Sequence, residues 1–371
     1  MQRYPAYDPP EYLDWSADPG ELRAYDERVR ADAERAAVIA ALGEAELLAL
    51  YAGLLRNRLH DVMLKRWVRG GVLAKAWLGT GEEATTIGPV HALRRGGAAH
   101  DVVAPMIRNA GACPAMGMPL VDLFRGVLAT ADSPNGGRDG HLGSLRHGVV
   151  APISHLGDMV PVAAGVALSF QQNGVDRVAL TWVGDGTTKS GAFHEGLNFA
   201  AVRRLPLVCI LQNNQVALGT RLDQHGAGPF AAWPRMYGVA GAAFDGNHVL
   251  DAYAATRLAA ERARAGEGVT LLLAETFRMG GHATHDEREA RATFPAELFA
   301  CWGRRDPIGL YEAWLQQEGV PAASLQEIEA RVTAEVEVAA EEALRGREHR
   351  LPEPASAAQR VYATLFPGST R

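Results

Sequence analysis

Cysteine is scarce in this 371-residue chain: Cys113, Cys209 and Cys301 are the only three, odd in number, and no two form a Cys-x-x-Cys pair. That excludes a disulfide framework or a paired-thiolate zinc site and favours reduced, mostly buried thiols in a cytoplasmic protein. A basic excess is also missing. With 37 Lys and Arg against 43 Asp and Glu, the formal net charge is −6, so no surplus is available to neutralise nucleic-acid phosphates. No apolar run approaches the ~20 residues of a membrane helix. The start, with Pro5, Asp8, Pro9, Pro10 and Glu11, has no basic-then-apolar signal pattern. His141, His282 and His285 raise the thought of zinc, but His-Glu-x-x-His spacing is absent. No internal repeat is found.

What is present is a chain long enough to bury a large core. Apolar positions at helical spacing from Leu47 to Met63 predict a helix over 44–69, closed by Gly70-Gly71. Further helices are expected over 83–93, 119–129, 159–173, 251–265 and 325–345. Strands are expected at Val102–Met106, Val178–Val183, Leu207–Leu211 and Val269–Ala274. Apolar strands alternating with helices imply an α/β fold with a parallel sheet. Residues 1 to about 35, rich in Pro, Asp, Glu and Arg, read as an extended arm or loose tail. Residues 131–155, rich in Gly, Ser, Asp and His, read as a long functional loop. The division expected is an N-terminal arm (1–43), one main domain (44–320) and a C-terminal helix and tail (321–371).

The most informative stretch begins after the second strand, at Gly184-Asp185-Gly186. It continues through Glu195-Gly196-Leu197-Asn198-Phe199-Ala200-Ala201 to Asn213-Asn214. Asp185 and Asn214 are 214 − 185 = 29 residues apart, which fits one strand–turn–helix–strand unit. Both would stand at the C-terminal edge of a parallel sheet, where such folds bind ligands. The glycines allow a sharp turn and close backbone approach. The helix expected from Lys189 to Arg204 points its N-terminus at the same crevice, favouring a phosphate. A carboxylate and an amide oxygen suit Mg²⁺, which prefers oxygen ligands and shares them with phosphates.

Several motifs in order extend this pattern: Gly81-Glu82-Glu83-Ala84, Arg108-Asn109-Ala110-Gly111, Gly137-Arg138-Asp139-Gly140-His141, Phe277-Arg278-Met279-Gly280-Gly281-His282 and Asp306-Pro307-Ile308. Over residues 45–315 the chain resembles the α subunit of the E1 component of 2-oxo acid dehydrogenase complexes. The resemblance implies a three-layer, parallel-sheet thiamin diphosphate-binding fold with helical N- and C-terminal extensions. It implies thiamin diphosphate and Mg²⁺ as cofactors. Asp185, Asn214 and the Val216 carbonyl would be the metal ligands. Gly184, Gly186 and Thr187 would line the diphosphate and Arg108 would grip it; Ser154 and Leu156 would contact the aminopyrimidine, with His155 beside them. His282 and His141 would be the catalytic histidines. The glutamate that activates the cofactor belongs to a separate β subunit in the split members of the family. The implied partners are therefore that E1 β subunit, in an α₂β₂ assembly, and a lipoyl-bearing E2 transacylase.

The implied reaction is oxidative decarboxylation of a 2-oxo acid with acyl transfer to the lipoyl group of E2. Gly81-Glu82-Glu83 and Trp302 resemble branched-chain members, and Trp77 falls where pyruvate members often carry His. Pyruvate and acetoin enzymes stay as alternatives. Ile107, where the family usually has Tyr, and Gln215-Val216, where relatives often have Gly-Tyr, leave room for a catalytically silent binding subunit. Ala283 stands where mammalian relatives carry a phosphorylated Ser.

Overall fold

The computed structural model describes residues 1–356. Its centre is a five-stranded, wholly parallel sheet: β1 (Val102–Ala104), β2 (Ala179–Gly184), β3 (Leu207–Asn213), β4 (Ala240–Asp245) and β5 (Thr270–Glu275). The spatial order is β1-β2-β3-β5-β4. The first three strands are buried along their whole length, in keeping with their mainly apolar sequences. Alternate side chains feed two cores. Val103, Leu180, Trp182, Val208, Ile210 and Leu272 pack under the helices Glu44–Arg69, Glu83–His91 and Val249–Arg264. Ala179, Val183, Leu207, Cys209, Leu211 and Leu273 pack under Met159–Gln172 and Gly191–Arg203. The result is the expected three-layer α/β arrangement.

The long helix Glu44–Arg69 is started by the Glu46 carboxylate, which accepts the Gly43 N–H at 3.0 Å. Arg66 and Arg69 occupy its last turn, where cations suit the dipole. Leu54 and Leu55 on its inner face are fully buried, so truncating either to Ala costs about 2–5 kcal/mol. Ala322–Arg347 lies across this helix and buries Leu325, Ile328, Val332, Val336 and Ala340 at three- and four-residue spacing. The end of the expected C-terminal tail, from 357 on, lies outside the described residues.

Two expectations are corrected. Residues 1–35 are not an extended arm. They form the helices Pro10–Leu13 and Pro19–Arg30 and enter a third, Ala33–Ala40, with Tyr12, Tyr25 and Ile39 buried. Some of the charges that suggested a tail are used inward. Buried Arg58 pairs with Glu83 and, at 3.0 Å, with Asp306; Arg3 reaches Asp306 at 2.6 Å; the Arg58 guanidinium stands 4.8 Å over the Tyr12 ring. Burial works against the Arg58 charge, but Glu83 and Asp306 outweigh it and push its pKa up. The second correction is β4, an edge strand that is Ala and Gly up to Phe244-Asp245, carries no β-branched residue and gave no strand signal.

Candidate cofactor site

Four strand ends build the site. The chain leaving β1 carries Arg108, that leaving β2 carries Asp185 to Thr187, that leaving β3 carries Asn214 and Val216, and that leaving β5 carries Arg278 and His282. Register sets their spacing, because Gly184 on β2 pairs with Gln212 on β3. A cavity of ≈ 450 Å³ opens at this edge, lined by Arg108, Gly184, Asp185, Gly186, Thr187 and Val216. His141, Ser154, His155, Leu156 and His282 also line it. Every expected site residue but Asn214 is thus in the wall.

Asn214 is fully buried just behind it. Its Nδ2 donates to Glu82 Oε1 at 2.7 Å, which leaves Oδ1 with one long contact, from the Val216 N–H at 3.5 Å. Glu82 is itself buried and also accepts from Gln212 Nε2 on Oε1 and from Arg108 Nε at 3.3 Å on Oε2. One carboxylate therefore fixes both the amide expected to bind metal and the arginine expected to bind diphosphate. Gly81 positions Glu82: its φ of +92° suits glycine, and a Cβ there would meet Met279 Cγ at 2.7 Å. Gly186 is required by contact, since a Cβ would lie 2.3 Å from that of Ala217 in the short hairpin after β3.

Three buried polar groups here have no protein hydrogen-bond partner: Asp185 Oδ2, Arg278 Nη1 and both ring nitrogens of His225. Asp185 Oδ1 accepts the Gly186 N–H at 2.9 Å, and His225 Nε2 stands 3.5 Å from Oδ2. Burial pushes the Asp185 carboxyl pKa up. Burial, joined by the Arg108 charge, lowers Arg278 to about 10. A carboxylate oxygen without a donor, next to an amide oxygen with spare capacity, matches a hard cation. Two arginines sharing one region match a dianion. The residues present therefore fit Mg²⁺ and a diphosphate.

His282 is held by backbone: its N–H donates to Asp286 Oδ2 at 3.1 Å, and the next N–H, of Ala283, to Oδ1 at 2.8 Å. Burial, then the Arg108 and Arg278 charges, lower its pKa to about 4. It is a neutral hydrogen-bonding imidazole at pH 7. His141 is oriented from both sides, with Nδ1 at 2.7 Å from Asp139 Oδ1 and Nε2 at 2.9 Å from Ser154 Oγ. His285 is exposed. Trp302 stacks on Phe277 in a separate apolar cluster and does not line the cavity. Gln215 has φ +69°, the left-handed region that favours glycine.

Sequence reasoning missed four residues. Glu82 and Arg278 lay inside quoted motifs without a role in the site, Gln212 lay unnoticed between the expected strand and Asn213-Asn214, and His225 sits in a polar segment with no distinguishing pattern.

The fold and this edge define an α/β protein with a polar cavity at the C-terminal ends of its parallel strands. The Dehydrogenase E1 component family profile matches residues 54–351, and the chain belongs to that family. It is 32% identical over 328 residues to the 2-oxoisovalerate dehydrogenase subunit alpha of Bacillus subtilis, covering 87% of this chain and 97% of that protein. It is 34% identical over 306 residues to the 3-methyl-2-oxobutanoate dehydrogenase subunit alpha of Mycobacterium tuberculosis, covering 79% and 76%. It is 30% identical over 310 residues to the Pyruvate dehydrogenase E1 component subunit alpha of Staphylococcus aureus, covering 81% and 79%. The family is one of thiamin diphosphate-dependent 2-oxo acid dehydrogenases.

Proposed function

We propose that this chain is the α subunit of an E1 component that oxidatively decarboxylates a 2-oxo acid, with branched-chain acids favoured, and passes the acyl group to a lipoyl disulfide on E2. The observation that carries it is Asp185: a buried carboxylate with one bare oxygen, register-locked beside Asn214 and near Arg108. Asp185, Asn214 and the Val216 carbonyl hold Mg²⁺ in this reading. Arg108 and the Gly184–Thr187 turn hold the diphosphate, and Ser154 and Leu156 border the aminopyrimidine. Bound thiamin diphosphate supplies the carbanion chemistry that decarboxylation needs.

The protein's own part is positioning and proton handling. His282, kept neutral by burial and two arginines, donates a hydrogen bond to developing negative charge or accepts a proton. His141, pinned between Asp139 and Ser154, presents a fixed ring at the same cavity. The missing activating glutamate assigns the rest of the site to a β subunit in an α₂β₂ assembly. The three free thiols support a cytoplasmic setting.

The test uses this chain co-expressed with its β subunit. Thiamin diphosphate and Mg²⁺ are added, and decarboxylation of pyruvate, 3-methyl-2-oxobutanoate and 4-methyl-2-oxopentanoate is followed with an artificial electron acceptor. Preference for the branched acids is expected. Turnover of pyruvate alone makes this a pyruvate enzyme. Cofactor binding without any 2-oxo acid turnover points to acetoin or to a silent subunit, the reading that Ile107 and Gln215 favour.

A further inference from the structure

A histidine stands against the carboxylate on which the metal reading depends. His225 Nε2 is 3.5 Å from Asp185 Oδ2, beyond the reach of a good hydrogen bond. That oxygen and both ring nitrogens of His225 are buried without a protein partner. Buried polar atoms seldom stay bare, so a nitrogen and an oxygen this close call for a group that binds both. The placement is built by short-range structure. Val216–Ala217 and Thr220–Arg221 pair as a hairpin, and the Leu222 N–H then donates to the Gln215 carbonyl at 3.1 Å. The short helix Leu222–His225 packs on the Gly186–Lys189 turn that follows Asp185. One hairpin therefore starts at Val216, whose carbonyl is an expected metal ligand, and returns the chain to Asp185 as His225.

We propose that His225 Nε2 is a nitrogen ligand at the metal position and biases this centre toward divalent first-row transition ions over Mg²⁺. The inference rests on the functional reading above. Two ligand atoms held at about 2.1 Å by one ion lie about 3.0 Å apart at a right angle and about 3.4 Å apart at a tetrahedral one. The separation of 3.5 Å between His225 Nε2 and Asp185 Oδ2 is close to that span. No group of three His, Cys, Asp or Glu side chains suited to a metal occurs among the described residues. The Asn214 amide, the Val216 carbonyl and diphosphate oxygens are therefore needed to complete an octahedral shell. Asp185, Asn214 and Val216 offer only oxygen, which serves Mg²⁺ well. An imidazole nitrogen changes the order, because affinity for nitrogen rises from Mn²⁺ through Co²⁺ to Ni²⁺ while Mg²⁺ gains little from it.

The experiment uses the chain assembled with its β subunit, in thiamin diphosphate. Calorimetric titration of Mg²⁺, Mn²⁺ and Co²⁺ gives the affinities of the parent and of His225→Gln, whose side chain has a similar reach and no ring nitrogen. The Co²⁺-to-Mg²⁺ affinity ratio is expected to fall by about tenfold or more in the variant, and the Mn²⁺-to-Mg²⁺ ratio by less. Pulsed electron paramagnetic resonance of bound Mn²⁺ is expected to show a directly coordinated imidazole nitrogen in the parent and none in the variant. The parent spectrum decides the matter even where the variant fails to assemble. A parent spectrum without coordinated nitrogen overturns the proposal. So does an unchanged ratio, or an equal loss for all three ions, which would make His225 a counter-ion or a support of its loop. These results leave the functional reading intact. A parent that binds none of the three ions with thiamin diphosphate overturns both.

Discussion

Asn214 Nδ2 donates to Glu82 Oε1 at 2.7 Å, across 132 residues of sequence. This bond leaves the amide oxygen with one long contact, from the Val216 N–H at 3.5 Å. Because Glu82 Oε2 also takes Arg108 Nε, one side chain ties together the residues proposed to hold the metal and the diphosphate.

Glu82→Gln keeps the shape and removes the charge. The new amide group would face the donors of Gln212, Asn214 or Arg108 with a donor of its own. A loss of about 10–100-fold in thiamin diphosphate affinity is expected, measured by calorimetric titration in Mg²⁺. Affinity within a factor of about two of the parent would mean that Glu82 orients nothing.

Asp185→Asn separates stability from function. The parent buries a carboxylate whose Oδ2 no protein group satisfies, a cost the neutral amide lessens. The variant chain without cofactor is expected to melt higher than the parent in calorimetry. Its midpoint is expected to gain nothing from Mg²⁺ with thiamin diphosphate, where the parent rises. A variant still stabilised by Mg²⁺ would remove Asp185 from the metal site.

His282→Gln tests the neutral imidazole. Cofactor affinity is expected to hold, because the loop is kept by the Asp286 contacts to backbone N–H groups. Steady-state turnover is expected to drop by about 10²–10⁴-fold. Parental turnover with the variant would take His282 out of the chemistry.

Buried histidines are expected to lower stability in mild acid, against the opposite effect of Glu83, which burial pushes up to about 7. His248 is fully buried: Nδ1 accepts the Asp251 N–H at 3.2 Å, capping the helix Val249–Arg264, and Nε2 meets the Tyr25 carbonyl at 3.0 Å. Burial lowers its pKa. The unfolded chain therefore takes up the proton first, near pH 6.5, and the folded state loses up to about 1.4 kcal/mol per pH unit below that. His91, lowered to about 3, and His282, lowered to about 4, act in the same direction. Between pH 7.5 and 5 the urea midpoint of His248→Asn, which keeps a capping oxygen, should gain on that of the parent as pH falls; an unchanged difference would remove His248 from the pH dependence.

Much of this was legible in the sequence for a physical reason. β2, β3 and β5 are uninterrupted apolar runs, and the turn residues after them are local. Asp185, Asn214, Arg108 and His282 could thus be placed at one sheet edge from order alone. What was missed depends on distant contacts. Whether Glu82 is a surface charge or a buried clamp is decided by Asn214 and Gln212, more than a hundred residues away. Arg58 and Arg3 read as ordinary charges until Asp306 meets them.

The spacing between Asp185 and Asn214 is held by the ladder between β2 and β3, with Gly184 opposite Gln212. The helix that joins the two strands, Gly191–Arg203, does not set it. Its outward residues Phe199 and Val202, 44% and 73% exposed, can therefore diverge without disturbing the chemistry. The strand ladder thus carries the metric of the site, and the joining helix carries a surface.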